Sequence, residues 1–169
     1  MLKVISGVPQ GSVLGPILFV IFINDLPDKI KNVIKLFADD TKVISLIDNE
    51  NDSSILQEDL NNLHEWSKQW FMDINEDKCV AMHFGSNNKN YEYSLNSHKL
   101  TESHQERDLG VIFSKYLKNS AHIAVATRKA NYALSIIKRS FKCRDKLTIK
   151  KLTSLVRPHL EYAVQVWNP

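Results

Sequence analysis

Asp39 and Asp40 stand side by side in VIKLFADDTKVISLI, between two apolar runs rich in β-branched residues. Two like charges this close raise the cost of ionising both, unless a cation lies between them. A hard divalent ion such as Mg²⁺ meets that need, because it takes oxygen ligands and completes its shell with water and substrate phosphates. Paired ions of this kind drive phosphoryl transfer, one activating the attacking oxygen and one steadying the leaving oxygen. Asp-Asp-Thr also makes a good turn, and the pair alone leaves both readings open. A second stretch, Gly7-Val8-Pro9-Gln10-Gly11-Ser12, is rich in residues that let backbone approach a partner. Gln10 offers an amide at a helix entrance, where backbone N–H groups suit phosphate or a nucleotide sugar. A purely structural turn is the alternative there.

The elements that must position these groups follow from pattern. MLKVISGVPQG reads as a short strand entering a tight turn, and SVLGPILFVIFIND as a helix capped by Ser12 and stopped by Pro27. That helix is apolar all round, which places it at the centre of a core. VIKLFA and TKVISLI form a hairpin with the two acids at its tip. At such a tip the strand alternation breaks, so both carboxylates can approach one point. DNEND is a polar loop, followed by a helix from about Ser54 to Met72 with Ser54 and Gln57 as a capping box. Leu56, Leu60, Leu63 and Trp70 make its stripe. KCVAMHF alternates with Val80, Met82 and Phe84 on one face, and YEYSL and RDLGVIF are further strands. After Ser120 the chain turns helical: a stripe of Ile123, Ala126, Ala130, Leu134 and Ile137, a second helix over Thr148 to Val156, and a third started by Pro158. The fold class is α+β, one domain of 169 residues with a helical appendage.

Charge is unevenly spread. The net charge is +3, yet nine of the 22 basic residues lie between Arg128 and Lys151 with a single acid, Asp145. The remainder carries a net charge of −5. A basic helical lobe on an acidic body suits a polyanion partner, or else forms a solvated helix face. Cys79 and Cys143 lack zinc or disulfide spacing, and no histidine has ligand spacing. The longest apolar run, PILFVIFI, falls far short of a membrane span. With no secretory signal, the expectation is a soluble intracellular protein of the cytoplasm, the nucleus or both.

GVPQGSVLGPILFVIFINDLP followed by LFADDT resembles the palm of reverse transcriptases, especially those of non-LTR retrotransposons of the jockey and CR1 kind. INEDKCVAMHFG resembles the next palm element, RDLGVIF the hairpin that grips the primer end, and RPHLEYAVQVWNP the segment after the thumb helices. The resemblance covers nearly the whole chain in the right order. It implies a partial polymerase palm over residues 1–115, an antiparallel sheet with packed helices and a catalytic hairpin, and then a helical thumb over 116–169.

The implied activity is RNA-directed DNA polymerisation: a primer 3′-hydroxyl attacks a dNTP on an RNA template, with Mg²⁺ or Mn²⁺ as cofactor. Asp39 would hold the metal ions with Asp40 beside it, and Ala38 would keep the strand slim where nucleotide passes. Phe37 would pack beneath the hairpin. Gln10 would touch nucleotide and template, in a loop shaped by Pro9 and Gly11. Lys78 would protonate the leaving pyrophosphate. Leu109 and Gly110 would hold the primer. Arg128, Lys129, Lys138, Arg139 and Lys142 would track the duplex backbone by phosphate contacts.

The sequence departs from the family pattern, which also carries a bulky residue that excludes ribonucleotides. The strand with the family's third catalytic aspartate, the fingers before it and the endonuclease of the parent element are not present, and Asp25 and Asp28 fall at the wrong end of the apolar helix. Two carboxylates hold paired Mg²⁺ less well than three, so this chain alone is expected to be inactive. A non-catalytic nucleic-acid-binding remnant and an α+β interaction module are the alternatives.

Overall fold

The computed structural model describes residues 11–141 and 145–167. The strand expected before Gly11 lies outside them. The elements are α1 (Leu14–Ile23), β1 (Val33–Phe37), β2 (Asp40–Ile44), α2 (Glu50–Gln69), β3 (Val80–Ala81), β4 (Ser94–Leu95), β5 (His98–Lys99), β6 (Thr101–Glu102), β7 (Gln105–Asp108), β8 (Val111–Ser114), α3 (Ser120–Ser140), α4 (Lys146–Glu161) and α5 (Val164–Trp167). Single 3₁₀ turns occupy Leu26–Lys29 and Glu76–Lys78. Mixed helix and strand agree with an α+β fold. The single antiparallel sheet does not form among the described residues, where the strands make separate two-stranded sheets, including the antiparallel ribbons β1–β2, β4–β5 and β7–β8. KCVAMHF in particular yields only two strand residues, and its histidine is buried while Val80 and Phe84 are exposed. No helix among the described residues is long and apolar enough to cross a membrane.

The chain divides into two compact units, Met1–Ala81 with Lys89–Thr101, and Met82–Asn88 with Glu102–Pro169. The core of the first is Ile23, Leu26, Ile30 and Trp66, with Ile34, Leu36 and Val43 of the hairpin packed against it. Phe22 stands edge-on to Trp66 and Trp70, at centroid distances of 5.8 and 5.5 Å. The N-cap of α1 is Val13 and not the expected Ser12, although the Ser12 hydroxyl does accept the first-turn Gly15 N–H at 3.0 Å. The helix is not buried as expected, because the core touches mainly its C-terminal end. Gly15 and Ile23 are buried, whereas Leu14, Ile17, Leu18, Val20 and Ile21 are exposed.

α2 begins a turn earlier than expected. Asn49, not Ser54, is its N-cap: Asn49 Oδ1 accepts the Asp52 N–H and Asp52 Oδ2 accepts the Asn49 N–H, at 3.2 and 3.1 Å. Asp48–Asp52 is therefore half loop and half first turn. Gln57, freed from capping, bonds both the N–H and the carbonyl of Ser94 in β4, at 2.9 and 2.8 Å.

In the second unit α3 packs on β8 and α4, burying Ala126 and Ala130 of the expected stripe. Pro158 does not start a helix but lies inside α4. There it supplies no N–H to the Ser154 carbonyl, so α4 forgoes one internal hydrogen bond shortly before its end at Glu161. The chain then reverses at Ala163, whose φ is 52°, into the single turn of α5.

Candidate functional site

The hairpin that carries the acids closes through a two-residue turn, Ala38-Asp39, with Phe37 opposite Asp40, Leu36 opposite Thr41 and Ile34 opposite Val43. Strand alternation sends Ile34, Leu36 and Val43 into the core and leaves Phe37 and Asp40 on the other face. Phe37 is accordingly 59% exposed and does not pack beneath the hairpin as expected. Ala38 sits in the turn and not on the strand, with φ of 51°. A residue bearing Cβ in that region stores about 1–2 kcal/mol of strain, and strain of this kind gathers at functional turns.

Asp39 and Asp40 are both exposed at the tip. Neither side chain has a hydrogen-bond or ion-pair partner among the described residues. These are hard oxygen donors, free and adjacent, so the donor chemistry fits part of a Mg²⁺ shell that water and phosphate oxygens complete. No group of three or more His, Cys, Asp or Glu among the described residues could hold a metal ion. Asp25 is committed elsewhere: its two carboxylate oxygens accept the indole N–H groups of Trp66 and Trp70, at 3.0 and 3.2 Å. Those two tryptophans serve the core and its edge.

Register reveals a feature missed from sequence. Lys35 lies directly opposite Lys42, on the face that carries Asp40. Like charges across a strand pair destabilise it by a few tenths of a kcal/mol or more. The expected Asp39-Asp40 turn would set Lys35 opposite Ile44; the turn at Ala38-Asp39 shifts the register and brings the two lysines together.

The root of the hairpin is held by a second missed residue. Asp59 of α2 is fully buried. Its carboxylate accepts the Lys31 N–H, the Asn32 N–H and the Asn32 side-chain amide, each at 2.8 Å. A lone acid within an amphipathic helix carries no sequence mark that separates it from a solvated one.

Of the other expected residues, Gly11 is described, with φ of 80°, a conformation that glycine adopts without strain. Pro9, Gln10 and Lys142 lie outside the described residues. Lys78 is exposed at the end of its 3₁₀ turn in the first unit. The adjacent Cys79 thiol is pushed above its ordinary pKa, first by burial and then by the Glu76 carboxylate, which keeps it a poor nucleophile. In the second unit, Leu109 and Gly110 form the turn of the β7–β8 hairpin with φ of 44° and 82°. Arg128, Lys129, Lys138 and Arg139 are all exposed on α3.

Comparison with known proteins gives this geometry its context. Residues 2–113 match the family described as reverse transcriptase (RNA-dependent DNA polymerase). The chain is similar to the RNA-directed DNA polymerase from mobile element jockey of Drosophila funebris, 31% identical over 96% of this chain and 19% of the relative. The protein of the same name from Drosophila melanogaster is 32% identical over the same shares. The probable RNA-directed DNA polymerase from transposon BS of that species is 27% identical over 96% of this chain and 20% of its own length. The chain thus spans about a fifth of the length of these relatives. No solved structure matches. On the extent of the family match, the chain belongs to the reverse transcriptase (RNA-dependent DNA polymerase) family.

Proposed function

We propose that this chain is the C-terminal part of the palm, residues 1–115, and the helical thumb, residues 116–169, of an RNA-directed DNA polymerase from a jockey-like mobile element. The observation that carries the reading is the pair of exposed aspartates, unpartnered among the described residues, on a hairpin whose other face is locked into the core. Its substrates are a dNTP and a DNA primer on an RNA template, and it works in the cytoplasm or the nucleus. Asp39 and Asp40 would hold Mg²⁺ or Mn²⁺, and an ion there supplies Lewis-acid polarisation of phosphate and a more acidic 3′-hydroxyl.

The residues of the chain divide the remaining work. Pro9, Gln10, Gly11 and Ala38 shape the slot for nucleotide and template. Lys35 and Lys42 add positive potential beside Asp40, which draws in phosphate. Leu109 and Gly110 place the primer end. The new bond joins the 3′-oxygen to the α-phosphorus as the bond to pyrophosphate breaks. The hydroxyl proton passes to solvent water, and Lys78 delivers a proton to the departing pyrophosphate.

Two carboxylates are an incomplete donor set for paired ions. The isolated chain is therefore expected to give no extension of an RNA-templated DNA primer with dNTPs and Mg²⁺. A polymerase assay on purified protein tests this, and robust extension contradicts it. Binding of the duplex is a separate property. On α3, Arg128→Ala and Arg139→Ala are each expected to weaken binding of an RNA–DNA hybrid whatever its sequence. Each should lower the slope of log affinity against log salt by about one. Fluorescence anisotropy across a salt series measures both effects. An unchanged slope would place the basic residues on a solvated face.

A further inference from the structure

The β7–β8 turn is fastened by a residue 53 positions downstream. Tyr162, at the C-terminal end of α4, donates its hydroxyl to the Leu109 carbonyl at 2.6 Å. Its ring lies against Gly110. A Cβ added there would meet Tyr162 Cε1 at 2.9 Å, Oη at 3.1 Å and Cζ at 3.3 Å. Glycine is required at that place twice over, by φ of 82° and by the ring.

Tyr162 is itself held. Its N–H donates to the Pro158 carbonyl at 3.1 Å, and its own carbonyl accepts the Trp167 indole N–H at 2.8 Å. The Trp167 carbonyl accepts the Asn119 side-chain amide. The Trp167 ring packs 5.6 Å from that of His122, and His122 Nδ1 accepts the Ile112 N–H at 3.3 Å. Ile112 belongs to β8, so the chain of contacts closes on the hairpin where it began. Both ends of this circuit lie in the same compact unit.

We propose that Tyr162 is a positioning residue for the primer end: it fixes the Leu109–Gly110 turn in the shape that receives the primer and ties that turn to α4. This rests on the reading of the turn as a primer contact. The two left-handed residues in succession make a turn with little freedom of its own. The hydroxyl bond and the ring then decide its outward presentation. Tyr162 is 55% exposed, so its loss leaves no large cavity and the fold survives substitution.

Two readouts on the whole chain test the proposal. Amide hydrogen exchange at Gly110 and Val111 reports the turn, and anisotropy of a labelled RNA–DNA hybrid reports primer binding. Tyr162→Phe keeps the ring and removes the bond. It is expected to speed exchange at the turn about fivefold, the worth of one net hydrogen bond, and to weaken hybrid binding by a similar factor. Gly110→Ala is expected to weaken binding more in the native background than beside Tyr162→Ala, where the ring is gone. Unchanged exchange in Tyr162→Phe, or equal effects of Gly110→Ala in both backgrounds, overturns the fastening. Leu109→Ala separates the two layers. If it weakens the hybrid while Tyr162→Phe does not, the positioning role is wrong and the primer contact stands. If Leu109→Ala leaves affinity unchanged, the turn is no primer contact, and the role of Tyr162 in positioning falls with that reading.

Discussion

Asp39→Ala is expected to abolish Mn²⁺ binding by the chain while leaving its salt-dependent binding of an RNA–DNA hybrid intact. The two properties rest on different residues. Asp39 and Asp40 are the exposed acids of the hairpin tip, with no partner of their own among the described residues, so removing one halves the donor set without disturbing a bond. The hairpin itself is held from its other face, by Ile34, Leu36 and Val43 in the core, and should keep its shape. The exposed basic residues of α3 belong to the other compact unit. On the proposed reading, in a polymerase that contains this segment, the same substitution is expected to slow extension on the order of 10³-fold, since several kcal/mol of charge stabilisation goes with the metal. Calorimetric Mn²⁺ titration and hybrid anisotropy on the same two samples give the answer. Retained metal binding would mean that the tip is only a turn. Joint loss of both properties, with the far-ultraviolet circular dichroism unchanged, would mean that the acids support duplex binding instead.

The second large effect is expected away from the chemistry. Asp59→Ala should cost about 3–4 kcal/mol of stability. Its buried carboxylate accepts two backbone N–H groups and one amide at the start of β1, and alanine would take their shared acceptor away from all three donors. Asp59→Asn should cost less, because the amide oxygen keeps one acceptor. Glu58, next in the chain, is the control. Its ion pair with Lys31 is half exposed, and Glu58→Ala should cost well under 1 kcal/mol. Urea unfolding midpoints rank the three, and equal midpoints for Asp59→Ala and Glu58→Ala would show that Asp59 anchors nothing.

Much of this architecture was legible, and the failures have physical causes. The acid-tipped hairpin could be read because alternation and a two-residue turn act locally. The bond from the first turn of α1 to Ser12 was legible for the same reason, though not the position of the cap itself. The pattern of RDLGVIF reads as one strand, and the turn at Leu109–Gly110 that makes it the β7–β8 hairpin was implied only by the family resemblance. Two capping boxes competed at the start of α2. Ser54 with Gln57 fits the common pattern better, but Gln57 is needed by Ser94, 37 residues away, and tertiary demand moved the start to Asn49. The exposure of α1 could not be read, because an all-round apolar face states that cover is wanted and not which residues supply it. Asp59, His122 and Tyr162 each act through partners distant in the chain, and composition gives no hint of such pairings.

The most direct measurement is Mn²⁺ titration of the isotopically labelled chain, followed by paramagnetic broadening of its amide resonances. If Asp39 and Asp40 hold the ion beside a nucleotide slot shaped by Gln10 and Gly11, as proposed, broadening is expected first at Asp39 and Asp40, then at Gln10 and Gly11, and nowhere at all in Asp39→Ala. Sharp resonances for Gln10 and Gly11 beside a broadened tip, or broadening that survives the substitution, would contradict it.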